Sequence, residues 1–270
     1  MTGFLIVNPR SGDERPTPRE LAAAAAAEGV DVHCLEPGDD AEELARGADA
    51  DVLGMAGGDG SLAPVAGVCI ERGVPFVCIP FGTRNHFARD VGLDRGDPLA
   101  AVSAFAADAD ERRVDLGRAG DRPFLNNVSL GLYAGLVHDR ERRRRRAEAF
   151  ARLKALRRLA VDRDPVSLTI DGAPFSAHLI LVANNAYTPV HTFALGERQR
   201  LDAGSLYLYV AGGMLPRHWD ERAADRIVVN TLGRVVRAAI DGEPARLATP
   251  LELTIEPQAL RVRLPAGRPE

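Results

Sequence analysis

The sequence is poor in cysteine and has no C-x-x-C pair. The three cysteines, Cys34, Cys69 and Cys78, are scattered, which excludes a disulfide framework and a cysteine-rich metal site and favours a reducing compartment. No apolar run approaches the roughly 20 residues that a membrane span needs. The first residues lack the basic start of a signal peptide, so we expect a cytoplasmic protein that can still touch a membrane surface.

Positive charge is not in excess either. The 34 Lys and Arg residues against 38 Asp and Glu leave a formal net charge of −4, which argues against a general nucleic-acid binder. Aromatic residues make up 5% of the chain and do not alternate with basic ones, which argues against stacking on bases. With 270 residues, 46% of them hydrophobic, the chain is long enough for one large domain or two smaller ones.

The part of the chain before Arg112 alternates short apolar runs with helix-like segments. This spacing predicts right-handed β–α–β crossovers and a parallel sheet covered on both faces. The predicted strands are Phe4–Val7, Val30–Leu35, Asp51–Ala56 and Pro75–Ile79, and the predicted helices are Pro18–Glu28, Asp40–Gly47, Ser61–Arg72 and Arg84–Arg89.

From Arg112 onward the pattern changes to short strands, punctuated by the turn pairs Asp171-Gly172 and Asp241-Gly242. We therefore predict an α/β domain over 1–112 and an antiparallel β-sandwich or barrel over 113–257, with a helical segment at about 136–160 and a ligand cleft between the domains. The predicted strands are Arg113–Arg118, Phe124–Leu132, Val166–Ile170, His178–Ala183, Leu206–Val210, Ile227–Val229, Val235–Ala239, Leu251–Ile255 and Leu260–Leu264.

Three glycine-containing turns follow the first, third and fourth predicted strands. Ligands of open parallel sheets bind outside the carboxyl ends of the strands, and all three turns fall on that edge. One such turn is weak evidence, but three at one edge favour a ligand site. The turns are Asn8-Pro9-Arg10-Ser11-Gly12, Gly57-Gly58-Asp59-Gly60-Ser61 and Pro80-Phe81-Gly82-Thr83-Arg84-Asn85-His86.

The second turn has the composition of an anion-binding loop. Its glycines bring backbone amides close to a ligand, and Ser61 is a suitable N-cap for the following helix. Pro64 is expected in the first helical turn, where its missing N–H costs little. Asp59 is unfavourable beside a phosphate unless a cation such as the Mg²⁺ of a nucleotide lies between them. An exposed Asp in a plain tight turn is the alternative.

Two common nucleotide signatures are missing. There is no GxxxxGK[ST], which excludes a P-loop protein, and no GxGxxG after the first strand, which argues against an ordinary dinucleotide oxidoreductase. In the third turn, Thr83 and Asn85 offer short polar groups to a phosphate or ribose and are candidate cofactor-binding residues. Arg84 offers charge there, with a solvated helix face as the alternative.

The motifs NPRSG, GGDGSLAPV and PFGTRNHFARDVGL, in this order and spacing, resemble the catalytic domain of diacylglycerol kinases, a group that includes sphingosine kinases and bacterial lipid kinases. The resemblance continues through Val114–Gly117, Phe124–Gly131 and Ile240–Glu243 and ends with Leu260–Pro265, so it covers nearly the whole chain. GGDG alone is shared with NAD kinases and phosphofructokinases.

The resemblance implies an ATP-binding α/β domain, a β-sandwich with the lipid site, and transfer of the γ-phosphoryl group to a lipid hydroxyl. It implies that a last strand at about 258–265 returns to the first domain. It also implies that the Asp241-Gly242-Glu243 turn supplies the proton acceptor. We slightly favour Asp241 as the acceptor, with Glu243 binding or orienting the substrate. The alternative is that both carboxylates are solvated residues of a plain turn. The implied nucleotide contacts are Asn8, Pro9, Arg10, Ser11, Gly12, Gly57, Gly58, Asp59, Gly60, Ser61, Leu62, Ala63 and Thr83.

Four positions depart from the family pattern. Ser61 replaces a threonine but keeps the hydroxyl, His86 replaces an aspartate, and Glu36-Pro37 stand where a nucleotide-contacting threonine is expected. The family's Mg²⁺ turn reads Ala203-Gly204-Ser205-Leu206 here, so Asp202, one place early, joins Asp59 as a candidate metal ligand, with carbonyls near Arg200 and Ser205. These changes bear on turnover rather than on fold.

We therefore predict a Mg²⁺/ATP-dependent lipid kinase. A NAD-kinase-like phosphotransferase and a non-catalytic nucleotide- and lipid-binding regulator are the alternatives, the latter suggested by His86 and Ala203.

The segment after the β-rich half begins contains five consecutive arginines, Arg142–Arg146, followed by a helix with one apolar side. This pattern predicts a basic interfacial helix that contacts an anionic membrane. A helix packed on its own domain is the alternative. The expected partners are a lipid substrate and no nucleic acid, and a homodimer is a further hypothesis.

Overall fold

The structure, a computed structural model, describes residues 1–12, 16–131, 166–177, 179–191, 194–211 and 220–267. It divides into two compact units. Unit 1 comprises Met1–Leu116, Leu201–Ala203 and Glu256–Glu270, and unit 2 comprises Gly117–Arg200 and Gly204–Ile255. The predicted helical segment with Arg142–Arg146 lies outside the described residues. Within them, no helix is both long and apolar enough to cross a bilayer.

Unit 1 is built on four parallel strands: β1 (Gly3–Val7), β2 (Val30–Cys34), β3 (Val52–Gly57) and β4 (Phe76–Pro80). They lie in the order β2-β1-β3-β4. Every residue of β3 and β4 is buried, which explains why these strands are continuous apolar runs in the sequence. The parallel α/β sheet predicted from the alternating pattern is confirmed.

Four helices accompany this sheet: α1 (Pro18–Ala27), α2 (Ala41–Gly47), α3 (Asp59–Arg72) and α4 (His86–Asp90), and a 3₁₀ helix spans Ala100–Phe105. Their ends carry the expected signals. Thr17 and Glu20 form a capping box at α1, and the Asp40 side chain caps α2. Gly73 ends α3 in the left-handed conformation at φ 65°, which glycine adopts without strain.

Unit 2 has two antiparallel layers. One contains, in order across the sheet, β14 (Asp220–Ala224), β13 (Leu206–Ala211), β10 (Leu179–Asn184), β7 (Asn127–Gly131), β16 (Val235–Ile240) and β17 (Glu243–Ala248). The other contains β9 (Ala173–Ala177), β8 (Val166–Ile170), β15 (Arg226–Thr231) and the first part of β18 (Leu251–Leu264). One core joins both layers, with Val128, Ile180 and Leu208 from the first and Ile170, Ile227 and Leu253 from the second. The predicted antiparallel β domain is confirmed.

Four more strands complete the set: the ten-residue β5 (Asp110–Ala119) and the short strands β6 (Arg122–Phe124), β11 (Pro189–His191) and β12 (Ala194–Leu195). Two sequence expectations are wrong. The single strand expected over Phe124–Leu132 is split into β6 and β7, because a buried carboxylate binds the backbone between them. The two strands expected at Leu251–Ile255 and Leu260–Leu264 form the single strand β18, which pairs antiparallel with β15 and, near its end, parallel with β4.

Candidate active site

The three glycine-containing turns lie side by side at the carboxyl edge of the unit 1 sheet. The register pairs Gly57 with Pro80, so the residues that follow β3 and β4 are neighbours. Asn8 N donates to Ala56 O at 2.9 Å, and Phe81 N donates to Gly57 O at 3.3 Å. The structure thus brings together the turns that the sequence places on one edge.

Two glycines let the turns pack closer than residues with side chains would. A Cβ on Gly82 would lie 2.4 Å from Gly58 Cα, so the second and third turns meet backbone to backbone. A Cβ on Gly12 would lie 2.3 Å from the buried ring of Phe81, so the first turn packs against the third. We call these three turns, residues 8–12, 57–61 and 80–86, the glycine cradle.

Asp59 holds the second turn of the cradle to the third. Its carboxylate accepts hydrogen bonds from the backbone N–H groups of His86, at 3.0 Å, and Phe87, at 2.9 Å, where α4 begins. The residue is 8% exposed. The alternative of an exposed Asp in a plain tight turn is therefore wrong, because two N–H groups at the start of α4 need an acceptor and the carboxylate binds them.

Helix α3 begins earlier than the sequence suggests. Its N-cap is Gly58 and its first residue is Asp59, so Ser61 is not the N-cap; the Ser61 hydroxyl instead donates to the Gly58 carbonyl at 3.1 Å. Pro64 lies beyond the first turn of the helix, where its missing N–H withholds the usual donor from the Gly60 carbonyl. The expectations for Ser61 and Pro64 are both corrected.

Asn85 places a buried acceptor inside the third turn. It adopts the left-handed conformation at φ 49°, is 4% exposed, and its Nδ2 donates to the Gly82 carbonyl at 2.7 Å. Its Oδ1 is buried and accepts no hydrogen bond from the described residues. Because an unpaired buried acceptor costs free energy, this atom fits a ligand that brings an N–H or O–H group. Thr83 and Arg84 are exposed beside it.

His86 stands at the position where the family pattern has an aspartate. Burial lowers its pKa below the ordinary value; the Arg89 and Arg84 charges lower it further, and the Asp59 carboxylate opposes the shift. The imidazole is therefore neutral near pH 7. It contributes neither a carboxylate nor a full positive charge to the cradle.

The other predicted nucleotide contacts divide between surface and core. Asn8, Ser11 and Gly12 are partly exposed, and Pro9 and Arg10 are exposed. Leu62 and Ala63 are buried, so their side chains belong to the core of unit 1. Only the backbone of those two residues remains as a candidate contact.

The two predicted metal ligands differ in their surroundings. Asp59 uses both carboxylate oxygens for backbone N–H groups. Asp202 is partly buried in the short segment Leu201–Ala203, where the Leu201 carbonyl accepts from Asp115 N at 2.7 Å. Across the described ranges, no three His, Cys, Asp or Glu side chains converge as a metal site would require. Side chains alone therefore assemble no metal site in this part of the chain.

In unit 2, the Asp241-Gly242 pair forms the turn between β16 and β17. Both residues have positive φ, 47° and 86°, and Ile240 pairs directly with Glu243. Two central residues with positive φ define the hairpin turn that Asp-Gly favours. This places Glu243 at the first position of β17.

The Asp241 carboxylate is buried and holds the turn between β6 and β7. It accepts backbone N–H bonds from Leu125 at 2.7 Å, from Asn126 at 2.8 Å and from Asn127 at 2.9 Å. The residue is 7% exposed. Its oxygens are thus enclosed by protein donors, which explains why the predicted strand Phe124–Leu132 is interrupted here.

Arg198 binds the same turn through its carbonyl groups. Its buried guanidinium donates to the Leu125 carbonyl and to Asn126 Oδ1, both at 2.6 Å, and to the Asn184 carbonyl at 3.0 Å. The Leu125 carbonyl and the Asn126 N–H belong to one peptide group. That peptide therefore links the Arg198 cation to the Asp241 carboxylate, and each buried charge is compensated.

Sequence reasoning missed Arg198 and Asn184 and gave Asn126 no separate role. Arg198 belongs to no recognisable motif in an arginine-rich chain, so no local signal marks it. The Asn126-Asn127 pair within FLNNVSLG was the available signal, because two adjacent amides between apolar residues need partners when buried.

Glu243 carries the exposed carboxylate of this turn, whereas Asp241 is enclosed. The Asp241 oxygens face three backbone donors, and the choice between Asp241 and Glu243 as proton acceptor stays a prediction. Asp241 therefore holds the backbone between β6 and β7, and Glu243 lies at the surface beside that turn.

Comparison with solved structures defines the class of fold. A structure described as a diacylglycerol kinase from Bacillus anthracis superposes with a TM-score of 0.66 over 97% of this chain and 96% of that chain, at 18% identity. A second structure from the same organism gives a TM-score of 0.68 at 20% identity, with 97% of each chain covered. This chain therefore has the fold of these bacterial proteins.

Sequence comparison shows similarity to known proteins over part of the chain. Residues 2–119 match the model of the diacylglycerol kinase catalytic domain, which confirms the predicted resemblance over these residues. A diacylglycerol kinase of Mycobacterium tuberculosis is 32% identical over 151 residues, 52% of this chain and 48% of that protein. A probable lipid kinase YegS-like of Pseudomonas putida is 39% identical over 95 residues, 34% of this chain and 30% of that protein. The aligned region thus spans at most about half the length of these curated relatives.

Proposed function

We propose that this protein is an ATP-dependent lipid kinase that transfers the γ-phosphoryl group of ATP to a lipid hydroxyl. The observation that carries the proposal is the glycine cradle. Three turns pack together there: the second and third meet backbone to backbone, and the first packs against the Phe81 ring of the third. Asp59 joins the second turn to the third, and Asn85 Oδ1 accepts no hydrogen bond from the described residues. All of these residues fall within the span that matches the kinase catalytic domain.

Different residues of the chain bind the nucleotide and act on the lipid hydroxyl. ATP, with Mg²⁺ on its phosphates, supplies the phosphoryl group when bound. The cradle offers backbone N–H groups and the start of α3 to the phosphates, and Asn85 Oδ1 accepts a hydrogen bond from the nucleotide. Glu243 orients the lipid hydroxyl and takes its proton as the new P–O bond forms and the bond to ADP breaks. Asp241 and Arg198 position the turn that leads to Glu243.

A radiolabelled-ATP assay on a substrate panel tests the proposal. The panel contains diacylglycerol, ceramide, a sphingoid base, phosphatidylglycerol and NAD. Transfer of label to at least one lipid supports a lipid kinase, and transfer to NAD alone supports the NAD-kinase-like alternative. Nucleotide binding without transfer to any member contradicts the proposal and favours the non-catalytic regulator.

Gly82→Ala tests the cradle. The added methyl group would meet the Gly58 backbone at 2.4 Å, so the second and third turns must separate. We expect ATP affinity to fall about tenfold or more, measured by calorimetric titration, because the backbone donors lose their common geometry. Gly47→Ala is the matched control, since a Cβ there meets nothing within 4 Å. Equal ATP affinity in the two variants would contradict a nucleotide site at the cradle.

Arg198→Met tests the positioning network of unit 2. The substitution keeps the bulk of the side chain but leaves the Leu125 carbonyl and the Asp241 charge without their cationic partner. We expect the free energy of unfolding in urea to fall by about 2–4 kcal/mol. Arg122→Met, at an exposed arginine of the same unit, should change it by less than about 0.5 kcal/mol. Equal losses in both variants would show that Arg198 has no special role.

A further inference from the structure

The loop between β15 and β16 displays apolar side chains to solvent. Leu232 is 104% exposed and Val235 is 47% exposed, two of the four large hydrophobic residues that are exposed in the described part of the chain. The loop is held by hydrogen bonds: the hydroxyls of Thr231 and Thr249 donate to the Gly233 carbonyl at 2.8 and 2.7 Å. The folded backbone therefore keeps Leu232 outside.

Next to this loop, the β16–β17 hairpin carries an uncompensated positive charge. Arg237 and Arg246 are exposed and lie directly opposite each other in the antiparallel register. Like charges at directly opposed positions destabilise a strand pair. The side chains of Arg237, Arg246 and the loop residue Arg234 have no hydrogen bond or ion pair with the described residues.

Two other surface arginines of the same unit are compensated. Arg222 pairs with Asp171, and Arg226 pairs with Glu252 at 2.5 Å. The contrast is informative because the whole chain is acidic, with a net charge of −4. A cross-strand arginine pair that lacks a carboxylate is a site where an external anion would remove an unfavourable interaction.

We propose that Leu232, Arg234, Val235, Arg237 and Arg246 form a docking surface for an anionic lipid bilayer, here called the hairpin surface. Phosphate oxygens of lipid headgroups neutralise the arginines, and Leu232 enters the boundary between headgroups and acyl chains. A bilayer is favoured over nucleic acid because it alone offers apolar volume to a fully exposed leucine, and no aromatic side chain for base stacking belongs to this surface.

This surface does not depend on the proposed kinase activity. It lies at the end of the β16–β17 hairpin where Val235 pairs with Ala248, and Glu243 lies at the opposite end, next to Ile240. Binding to vesicles is measured without ATP or turnover. A failure of docking and a failure of the kinase assignment are therefore separate results.

Arg237→Glu gives a sharp test, because it should separate binding from folding. A glutamate opposite Arg246 replaces a like-charge pair by an attractive one, so the unfolding midpoint should stay equal or rise. Affinity for phosphatidylglycerol vesicles should fall about 25-fold, since the change removes two charge units worth roughly fivefold each. Arg112→Glu is the matched control, because it makes the same change in net charge. Arg112 is an exposed arginine of unit 1 with no partner in the described structure. This variant should bind phosphatidylglycerol vesicles as tightly as the unmodified protein does.

Tryptophan fluorescence locates the contact. The chain has a single tryptophan, Trp219, so Leu232→Trp in a Trp219→Phe background places the only indole on the loop. Its emission should shift to the blue with phosphatidylglycerol vesicles at low salt and stay unchanged with phosphatidylcholine vesicles. Leu99→Trp in the same background, at a leucine of unit 1 that is 42% exposed, should show no shift.

Three results with vesicles would each overturn the proposal. The first is Arg237→Glu binding as tightly as the unmodified protein, the second is an equal loss in Arg112→Glu, and the third is the absence of a Leu232→Trp shift. Binding of duplex DNA by the hairpin surface without binding of vesicles would likewise reject a bilayer and identify a nucleic acid instead.

Discussion

Replacing Glu243 with Gln should lower the kcat of lipid phosphorylation by about 10²–10⁴-fold, the range that a positioned general base contributes. Glutamine keeps the size and the exposed position of the side chain but cannot take a proton from the lipid hydroxyl. The KM for ATP and the urea unfolding midpoint should stay close to those of the unmodified protein, because Glu243 is exposed at the first position of β17. Steady-state kinetics with labelled ATP measure both constants.

Two variants serve as controls for this result. Glu221→Gln removes an exposed carboxylate from β14 of the same unit and should leave kcat unchanged. Asp241→Asn should lower stability as well as turnover, because one carboxylate oxygen becomes an amide nitrogen that cannot accept, so at least one of the three backbone N–H groups loses its acceptor. Full turnover in Glu243→Gln would remove this residue from the mechanism and return the acceptor role to Asp241.

Asp59→Asn should lower phosphoryl transfer by about 10²-fold or more, because positioning and electrostatics supply most of the catalysis in this chemistry. The structure adds a cost in stability. One of the two N–H groups, from His86 or Phe87, would face the amide nitrogen and lose its acceptor. An unpaired buried donor costs about 1–3 kcal/mol, so urea unfolding should show a loss of that size.

Asp108→Asn is the matched control for this second prediction. Asp108 is exposed and has no partner in the described structure, so its substitution should change neither kcat nor the unfolding midpoint. The KM for ATP should rise in Asp59→Asn and stay constant in the control, since Asp59 joins two turns of the cradle. Near-normal kcat and KM in a folded Asp59→Asn protein would contradict the role given to this carboxylate.

The chain has two Asp-Gly turns with the same local sequence, and their aspartates show what can be predicted from that sequence. Both pairs predict hairpin turns, and Asp171 and Asp241 both adopt positive φ, 50° and 47°. The Asp171 carboxylate is partly exposed and pairs with Arg222, whereas the Asp241 carboxylate is enclosed by three backbone donors. The local sequence determines the turn, but the surroundings of the carboxylate depend on residues more than 100 positions away, from Leu125 to Asn127.

Some strands could not be predicted because they, too, depend on residues that are distant in the sequence. The sequences of β9, β14 and β17 are APFSA, DERAA and EPARLA, which carry little alternation of apolar and polar residues. They form strands because neighbouring strands supply backbone partners, as β16 does for β17. Strand pairing of this kind follows from packing and cross-strand contacts rather than from intrinsic preference.

The sequence by itself determined the order of an α/β unit and a β-rich unit, and the meeting of three glycine turns at one sheet edge. Both follow from short-range regularities: the period of apolar residues, and the rule that parallel strands end at a common edge. Only the tertiary structure decided which carboxylates are buried and which are exposed. Asp59 and Asp241 are buried because distant backbone N–H groups bind them, whereas Glu243 is exposed at the first position of β17. Burial of a charge depends on partners that folding brings together, and the spacing of residues along the chain does not reveal those partners.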